Sequence, residues 1–180
     1  MSALIPSGNA TGTGTMTLLA PPTNGTQTVN IPDATGTMMV SGNMPAFSAT
    51  AGALTIAAST FTKIPFSSLV YDTNSNYNTS TYRFTPTVAG YYWIKVQFFL
   101  GVSGGRTAAS IYKNGSDVCQ TLVPSSNTNG GISVVSQALV SFNGSTDYVE
   151  AYAYQESGGT GAINTSANLT LFQGYMVRTA

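Results

Sequence analysis

Residues 91–100 read YYWIKVQFFL, and this run restricts the fold of the chain more than any other. It alternates between two sets of side chains: Tyr92, Ile94, Val96, Phe98 and Leu100 in one, and Tyr91, Trp93, Lys95, Gln97 and Phe99 in the other. Because successive side chains of a β-strand point to opposite faces of a sheet, the first set forms one continuous apolar row. We therefore expect a long strand that directs this row into a hydrophobic core.

The rest of the chain carries strand patterns in shorter pieces. Runs rich in Val, Ile, Thr, Tyr and Phe are separated by clusters of Gly, Asn and Pro, and no apolar pattern of helical period extends over a useful length. The longest predicted strands cover residues 91–100, 107–112, 118–123, 132–142, 147–154 and 169–177. The Asn114-Gly115 pair is the strongest hairpin signal. These features predict an all-β chain of about ten strands in a two-sheet jelly-roll sandwich.

Residues 1–43 differ in composition from residues 44–180, and we interpret them as a separate N-terminal segment. They hold three short strand candidates, at residues 16–20, 27–31 and 37–40, but no aromatic residue. Short strands without a core need a partner, either another copy of the chain or a larger body. We therefore predict a short β-rich anchor, with a flexible leader as the alternative. The apolar positions of the anchor are Leu18, Val29, Ile31, Met38 and Met39.

Part of this anchor, TLLAPPTNGTQTVNIPDATGTMM, resembles the short β-rich modules of bacteriophage fibres and appendages. The resemblance covers about residues 15–39. It implies that the chain is attached through its N-terminal segment to a larger particle, at a capsid or tail protein.

The charge content excludes several classes of partner. Only 7% of the residues are charged, and six basic residues balance six acidic ones. Such a chain lacks the basic patch of a nucleic-acid-binding protein and the basic amphipathic helix of a membrane-surface protein. No apolar run approaches the ~20 residues of a membrane span. The first residues lack the features of a secretory signal, so we expect assembly in a cytosol.

Residue types that perform catalysis or bind metals are scarce. The chain has no histidine, which removes the commonest general base and metal ligand. Its carboxylates lie mostly beside turns, without apolar surroundings that would raise a pKa. Cys119 is the only cysteine, and we expect a small buried residue rather than a reactive thiol. We therefore predict a non-enzymatic protein without a cofactor or a bound metal.

Spaced residues between positions 66 and 92 carry a family signature: Phe66, Asp72, Tyr77, Phe84, Gly90 and Tyr92. Their spacing resembles that of the complement C1q globular domain, which shares its jelly roll with tumour necrosis factor. The family continues with aromatic residues where this chain has Ile94 and Val96, so the apolar character is kept. PAFSA, IYKNGSDV and LFQGYMV resemble the opening strand, central hairpin and closing strand of the family. The resemblance covers about residues 44–178 and implies that the signature residues are core and turn residues.

The same resemblance implies a homotrimer, because members of this family form compact threefold assemblies. Low surface charge also favours an oligomer that hides apolar area. In the strand predicted at residues 147–154, one face carries Val149, Ala151 and Ala153, and the other carries Tyr148, Glu150, Tyr152 and Tyr154. A strand that is apolar on both faces is typical of burial between a sheet and a neighbour. We predict that Tyr148, Tyr152 and Tyr154 form the trimer interface; the alternative is that they are exposed on a monomer.

Asp72 begins the polar loop DTNSN, which is the nearest approach to a calcium site in the sequence. The loop lacks the ligand spacing of an EF-hand. Because Asp72 is also the family's structural position, we interpret it as a residue that holds the loop.

Together these features predict a non-enzymatic bacteriophage virion protein, a trimeric capsid decoration or short head fibre. Residues 1–43 would attach to a capsid or tail protein, and the head would project from the virion surface after assembly in the host cytoplasm. Tyr77 and Tyr154, expected at loop tips, would stack on host-surface glycans. The alternatives are a tail-fibre receptor-binding protein and a free C1q-like lectin or ligand module.

Overall fold

Antiparallel strands build the described part of the chain. A computed structural model describes residues 39, 42, 44–124, 130–166 and 168–180, and within them it has thirteen strands and no α-helix. The strands are β1 (Ala46–Thr50), β2 (Thr55–Ile56), β3 (Thr62–Lys63), β4 (Ser68–Asp72), β5 (Tyr77–Asn78), β6 (Arg83–Phe84), β7 (Gly90–Gly101), β8 (Arg106–Lys113), β9 (Ser116–Pro124), β10 (Ile132–Phe142), β11 (Val149–Gln155), β12 (Gly161–Ile163) and β13 (Leu171–Thr179). The all-β prediction is confirmed. Among these residues, no helix has the length and hydropathy to span a bilayer.

The strands form two sheets of a sandwich. The first sheet has the order β2-β12-β7-β13-β1-β4, and β10 also pairs with β7. The second has the order β5-β6-β11-β8-β9, and β3 also pairs with β11. The two-sheet jelly roll is confirmed, with more strands than the ten predicted. The extra pieces include β5 and β12, which are two and three residues long and lie outside the longest strands predicted from the sequence, because so short a strand shows no alternating pattern.

The long strand β7 places its apolar row in the core, as predicted. Tyr92, Ile94, Val96, Phe98 and Leu100 are all fully buried. This strand is antiparallel to β10 on one side and to β13 on the other. Its opposite row of side chains therefore lies on the outer face of the first sheet.

Aromatic rings fill one end of the core around Phe47. The ring of Phe47 stacks on Phe84 at 4.2 Å and on Tyr77 at 5.1 Å, and meets the edge of Phe172 at 5.0 Å. Offset and edge-on contacts of this kind add to the stabilisation from apolar burial. Met39 is half-buried and packs against the same core, although the sequence assigned it to the anchor. The other anchor residues, Leu18, Val29, Ile31 and Met38, lie outside the described residues.

The hairpin between β8 and β9 turns at the Asn-Gly pair. Asn114 and Gly115 have φ of 51° and 82°. Two consecutive positive φ angles match the right-handed twist of antiparallel strands, and this requirement explains why Asn-Gly is favoured there. The predicted turn is thus confirmed. Cys119, the fourth residue of β9, is half-buried rather than fully buried.

Candidate functional site

The signature residues lie in the core and support it. Phe66, Phe84 and Tyr92 are fully buried and Tyr77 nearly so. The Tyr77 hydroxyl donates a hydrogen bond to the Phe66 carbonyl at 2.8 Å, and the Tyr92 hydroxyl donates one to the Val88 carbonyl at 2.7 Å. Burial raises the pKa of both phenols, that of Tyr92 to about 12. These side chains therefore stay neutral and structural.

The burial of Tyr77 overturns one part of the glycan prediction. Its ring packs between Phe47 and Phe172, so it is not available to stack on a sugar, and that prediction is wrong. Tyr154 is not at a loop tip either. It lies in β11, and its ring stacks on Phe61 at 4.7 Å.

Asp72 holds the loop that follows β4. Its carboxylate accepts hydrogen bonds from the backbone N–H of Tyr77 at 2.7 Å and of Asn74 at 3.3 Å. Both oxygen atoms are thus used by the chain's own backbone. In the described ranges, no three His, Cys, Asp or Glu residues cluster in a way that would hold a metal ion.

The outer face of the second sheet is organised around a buried carboxylate. The Glu150 side chain is only 3% exposed, and its Oε1 receives hydrogen bonds from Lys63 at 2.5 Å and from Arg83 at 2.6 Å. Its Oε2 accepts from the Tyr152 hydroxyl at 3.3 Å. Burial by itself raises the pKa of this carboxyl, but the hydrogen bonds from Lys63 and Arg83, with their positive charges, lower it below its ordinary value.

This carboxylate gives a pH-dependence that can be tested with Glu150→Gln. Because its folded pKa is depressed, the stabilisation is complete above the ordinary carboxyl pKa and is lost as the pH falls through the lower folded value. At pH 7 we expect the free energy of unfolding to drop by about 2 kcal/mol, since two cations lose a buried partner. We also expect a shallower loss of stability below pH 5. Urea denaturation at a series of pH values measures both effects.

Glu156→Gln is the matched control. Glu156 pairs with Arg106 at 2.6 Å, but this pair lies at the exposed surface, so its removal should change stability far less. Equal losses in the two variants would contradict a structural role for the buried carboxylate.

Tyr148, Tyr152 and Tyr154 are half-buried on the second sheet and contact residues of their own subunit. The Arg83 guanidinium lies over the Tyr148 ring at 4.0 Å. The Tyr152 ring packs on Tyr112 at 4.2 Å. With Tyr154 on Phe61, each of the three rings already has a partner in the subunit. Their predicted place at a trimer interface stays a prediction.

The larger exposed apolar surface lies on the first sheet. We define the aromatic face as the group Tyr71, Tyr91, Trp93, Leu139, Tyr175 and Val177. The strand register places Leu139 and Tyr175 directly beside Trp93, on its two sides. Leu139 is 56% exposed and Tyr175 is 54% exposed. Contiguous exposure of this kind marks an interaction surface in a folded protein.

Two shallow hollows interrupt the aromatic face. One, of about 310 Å³, is lined by Tyr71, Trp93, Lys95, Gln173, Gly174 and Tyr175. The other, of about 260 Å³, is lined by Tyr91, Leu139, Val177 and Arg178. These hollows are shallow and lie between large exposed side chains. Such a surface suits the docking of another protein better than the binding of a small molecule, which usually needs a deeper pocket.

The charges divide unevenly between the two sheets. Lys63, Arg83, Arg106 and Lys113 each form an ion pair with a carboxylate. The other two cations, Lys95 and Arg178, border the aromatic face, and neither has a carboxylate partner within the described ranges. Lys95 is half-buried, and the Arg178 guanidinium lies 5.7 Å from the Tyr91 ring centre. The aromatic face therefore carries two positive charges without a counter-charge.

The sequence contained part of the signal for this surface. Tyr91, Trp93 and Lys95 were expected on the face of the strand opposite the core, and they are found there. The alternation does not indicate that β10 and β13 add Leu139 and Tyr175 to the same row. That information lies in the pairing of strands that are distant in the sequence.

Comparison with known proteins agrees with the fold. The family model for the C1q domain matches residues 46–177. No curated protein matches the sequence. Among solved structures, the Eiger TNF of S. frugiperda has a TM-score of 0.59 at 11% identity over 77% of this chain and 95% of that one. The globular domain of the zebrafish complement 1qA protein has a TM-score of 0.52 at 18% identity over 76% and 99%.

Murine APRIL at pH 8.0 is a further similar structure, with a TM-score of 0.59 at 9% identity over 74% of this chain and 99% of that one. Identities this low establish a shared fold and nothing about ligands. The family match extends over most of the chain and over all the signature residues, so the protein belongs to the C1q domain family, with the C1q/TNF-like jelly roll.

Proposed function

We propose that this protein is a non-enzymatic structural module whose C1q-like head assembles as a homotrimer through the aromatic face. The observation that carries the proposal is the aromatic face itself, which exposes large apolar side chains such as Leu139 and Tyr175 on one sheet. A monomer would leave this surface in water, and an assembly removes it. The threefold symmetry follows from the resemblance to C1q domains.

The aromatic face is a better candidate for this contact than the tyrosines in and directly before β11. Tyr148, Tyr152 and Tyr154 already pack within the subunit, so a neighbour would gain less apolar burial from them. Light scattering of the purified chain tests the proposal. We expect a mass of about three times 18.6 kDa, and a monomer at micromolar concentration would contradict it.

We further propose that the assembly decorates the virion of a bacteriophage, as a capsid decoration or short fibre formed in the host cytoplasm. Residues 1–43 would bind a capsid or tail protein, and the head would project from the virion surface. Two features support this: residues 15–39 resemble modules of phage appendages, and the fold forms without a disulfide, with Cys119 free. A charge-poor surface rich in Ser, Thr, Asn and Gly fits a particle protein.

Deletion within the N-terminal segment tests whether this segment attaches the protein to the virion while the head folds and assembles without it. Because Met39 packs against the core of the head, the deletion should remove residues 1–35 and keep residues 36–43. We expect a folded, assembled head that no longer sediments with virions, whereas the full chain does. Immunogold electron microscopy of virions locates the full chain.

Each other outcome of that experiment has a definite meaning. A truncated head that still sediments with virions contradicts the anchor, and loss of assembly contradicts the separation of anchor and head. Label at the tail tip favours a tail-fibre receptor-binding protein. A full chain that never appears on particles favours a free C1q-like lectin or ligand module.

Glycan binding by the head is a second candidate function. The rings of Phe61, Tyr112, Tyr152 and Tyr154 lie together on the outer face of the second sheet, beside the ion pairs of Glu150. Aromatic rings stack on sugars, and fixed charged groups hydrogen-bond to their hydroxyls. A glycan array probed with the head tests it. Binding that is lost in Tyr154→Ser supports this face, and a head that binds no glycan argues against it.

A further inference from the structure

We propose that the surface beside the turn between β5 and β6 binds the carboxylate of an acidic sugar. Lys63 and Arg83 bind the carboxylate, and the ring of Tyr82 packs against the sugar ring that carries it. This inference rests on the proposed glycan binding by the outer face of the second sheet. It adds the class of sugar and the residues that select it.

Tyr82 has a backbone conformation that is rare for a large side chain. It is the last residue before β6, and its φ is 57°. Glycine adopts this left-handed region readily, whereas a bulky residue does so at a steric cost. Asn78 fixes the turn, because its Oδ1 accepts hydrogen bonds from the backbone N–H groups of Ser80 and Thr81, each at 2.9 Å. Residues held in such conformations cluster at ligand-binding sites.

The fold of the subunit gives no reason for a tyrosine at position 82. The side chain is only half-buried, and in the described ranges its hydroxyl has no hydrogen-bond partner and no other ring stacks on it. The Lys63 ammonium lies 5.9 Å from its ring centre. Glycine would satisfy the turn without strain. The strained tyrosine therefore points to a contact with a ligand.

Two cations beside this ring share a single carboxylate. Lys63 and Arg83 both donate to Glu150 Oε1, at 2.5 Å and 2.6 Å. Within the part of the chain that the structure describes, neither cation pairs with a second acid. The group therefore has one positive charge in excess, at side chains that are 26% and 39% exposed. An excess of positive charge at an accessible surface attracts an anion.

The Arg83 guanidinium has donors to offer to that anion. Of its five N–H donors, only the Nε–H has an acceptor among the described residues. Arg106, by comparison, donates through both Nε and Nη2 to Glu156. The Tyr148 ring lies 4.0 Å from the Arg83 guanidinium and holds its plane by a cation–π contact. A planar guanidinium of this kind matches a carboxylate, which accepts two parallel hydrogen bonds.

The neighbouring side chains favour a sugar over a simple anion. The Tyr152 hydroxyl donates to Glu150 Oε2, and the Tyr152 ring packs on Tyr112 at 4.2 Å. An aromatic surface therefore continues from the cations across the sheet, and further sugar rings can stack on it. Asp117, which has no cation partner in the described ranges, lies on β9, three strand spacings or about 14 Å from β6. This arrangement directs the acidic group of the ligand toward Arg83.

A glycan array of matched pairs tests the site with the full-length chain. Each oligosaccharide that contains a uronic acid is printed beside its methyl ester, which keeps the sugar ring and removes the charge. We expect the acids to bind about 10-fold or more tightly than the esters, because the ester loses the charge-assisted hydrogen bonds. Titration calorimetry measures the affinities of the pairs that bind.

Each other result of the array has a definite meaning. Equal binding of acids and esters would overturn the carboxylate site while the proposed glycan binding stands. An array on which no glycan binds would overturn both. Sulfated oligosaccharides that bind more tightly than the uronic acids would overturn the choice of a carboxylate as the anion.

Two variants locate the binding on the protein. Arg83→Gln should weaken the binding of the acid by about 10-fold or more and leave that of the ester unchanged. Tyr82→Gly should weaken binding as strongly, yet its melting temperature should be no lower than that of the wild type, because glycine relieves the strained φ. Circular dichroism measures the melting temperature. Wild-type affinity or a lower melting temperature in Tyr82→Gly would contradict a role for this ring in binding.

Arg106→Gln is the matched control. It removes one cation from the same sheet, but Glu156 already occupies the donors of that guanidinium. We expect the acid to bind within about 2-fold of the wild type, because salt screens exposed charges that do not touch the ligand. A loss as large as that in Arg83→Gln would overturn the site, since binding would then follow net charge.

Discussion

Leu139→Lys is expected to convert the assembled protein into monomers. Leu139 is 56% exposed in the single chain, so the change costs the fold of one copy little. At a contact, however, it adds a third cation beside Lys95 and Arg178 and buries it among aromatic rings. We expect the concentration of half-assembly to rise about 100-fold or more, which corresponds to about 3 kcal/mol. Light scattering should then give a mass near 18.6 kDa.

Phe61→Lys, directly before β3, is the matched variant on the outer side of the second sheet. Phe61 is 37% exposed, and its ring stacks on Tyr154. If the aromatic face forms the contact, this variant remains assembled. If Tyr148, Tyr152 and Tyr154 form it, as the sequence alone suggested, Phe61→Lys dissociates and Leu139→Lys does not. The pair of variants therefore decides between the two sheets.

The parts of the fold that the sequence predicted are those encoded by local pattern. In β7 the alternation of apolar residues alone indicates which side chains are buried, because the side-chain period of a strand is fixed at two. Asn114 and Gly115 likewise predict their turn, since few residue pairs accept two positive φ angles. The signature from Phe66 to Tyr92 adds the topology, which local pattern does not contain.

The candidate site depends on contacts between distant strands, and the sequence does not reveal them. Tyr152 looked free to meet a neighbour, yet it packs on Tyr112 of β8, and its hydroxyl donates to Glu150. Glu150 in turn depends on Lys63, which is 87 residues away. Side chains that appear unpaired along one strand can thus be paired across the sheet.

Tyr77 shows the same limit in a loop region. Its neighbours Asn76 and Asn78 are polar, and such surroundings indicate exposure. The ring is buried because its hydroxyl reaches the carbonyl of Phe66, 11 residues earlier, and its face stacks on Phe47. A phenol that finds a hydrogen-bond acceptor inside the core is buried at little cost, whatever the polarity of its sequence neighbours.

Gly90 begins β7 at a point where two strands approach closely. A Cβ atom there would lie 2.4 Å from the Arg178 carbonyl oxygen and 2.5 Å from Met176 Cε. The register of β13 shifts between Met176 and Arg178, directly opposite this end of β7. The irregular pairing brings the β13 backbone against Gly90, and a backbone atom cannot move aside as a side chain can. This close contact explains why the signature position 90 is occupied by glycine, which has no Cβ atom.

Gly90→Ala should therefore destabilise the head strongly. We expect a loss of about 3 kcal/mol in the free energy of unfolding, because the added methyl group must displace β13. Gly101→Ala at the other end of β7 is the control, since its Cβ would lie 3.6 Å from the nearest atom, the Ala162 carbonyl oxygen, which is an ordinary contact. Chemical denaturation of the two variants compares them on one strand. Similar stabilities would show that β13 adjusts to a side chain at Gly90, and the steric explanation for the signature glycine would then fail.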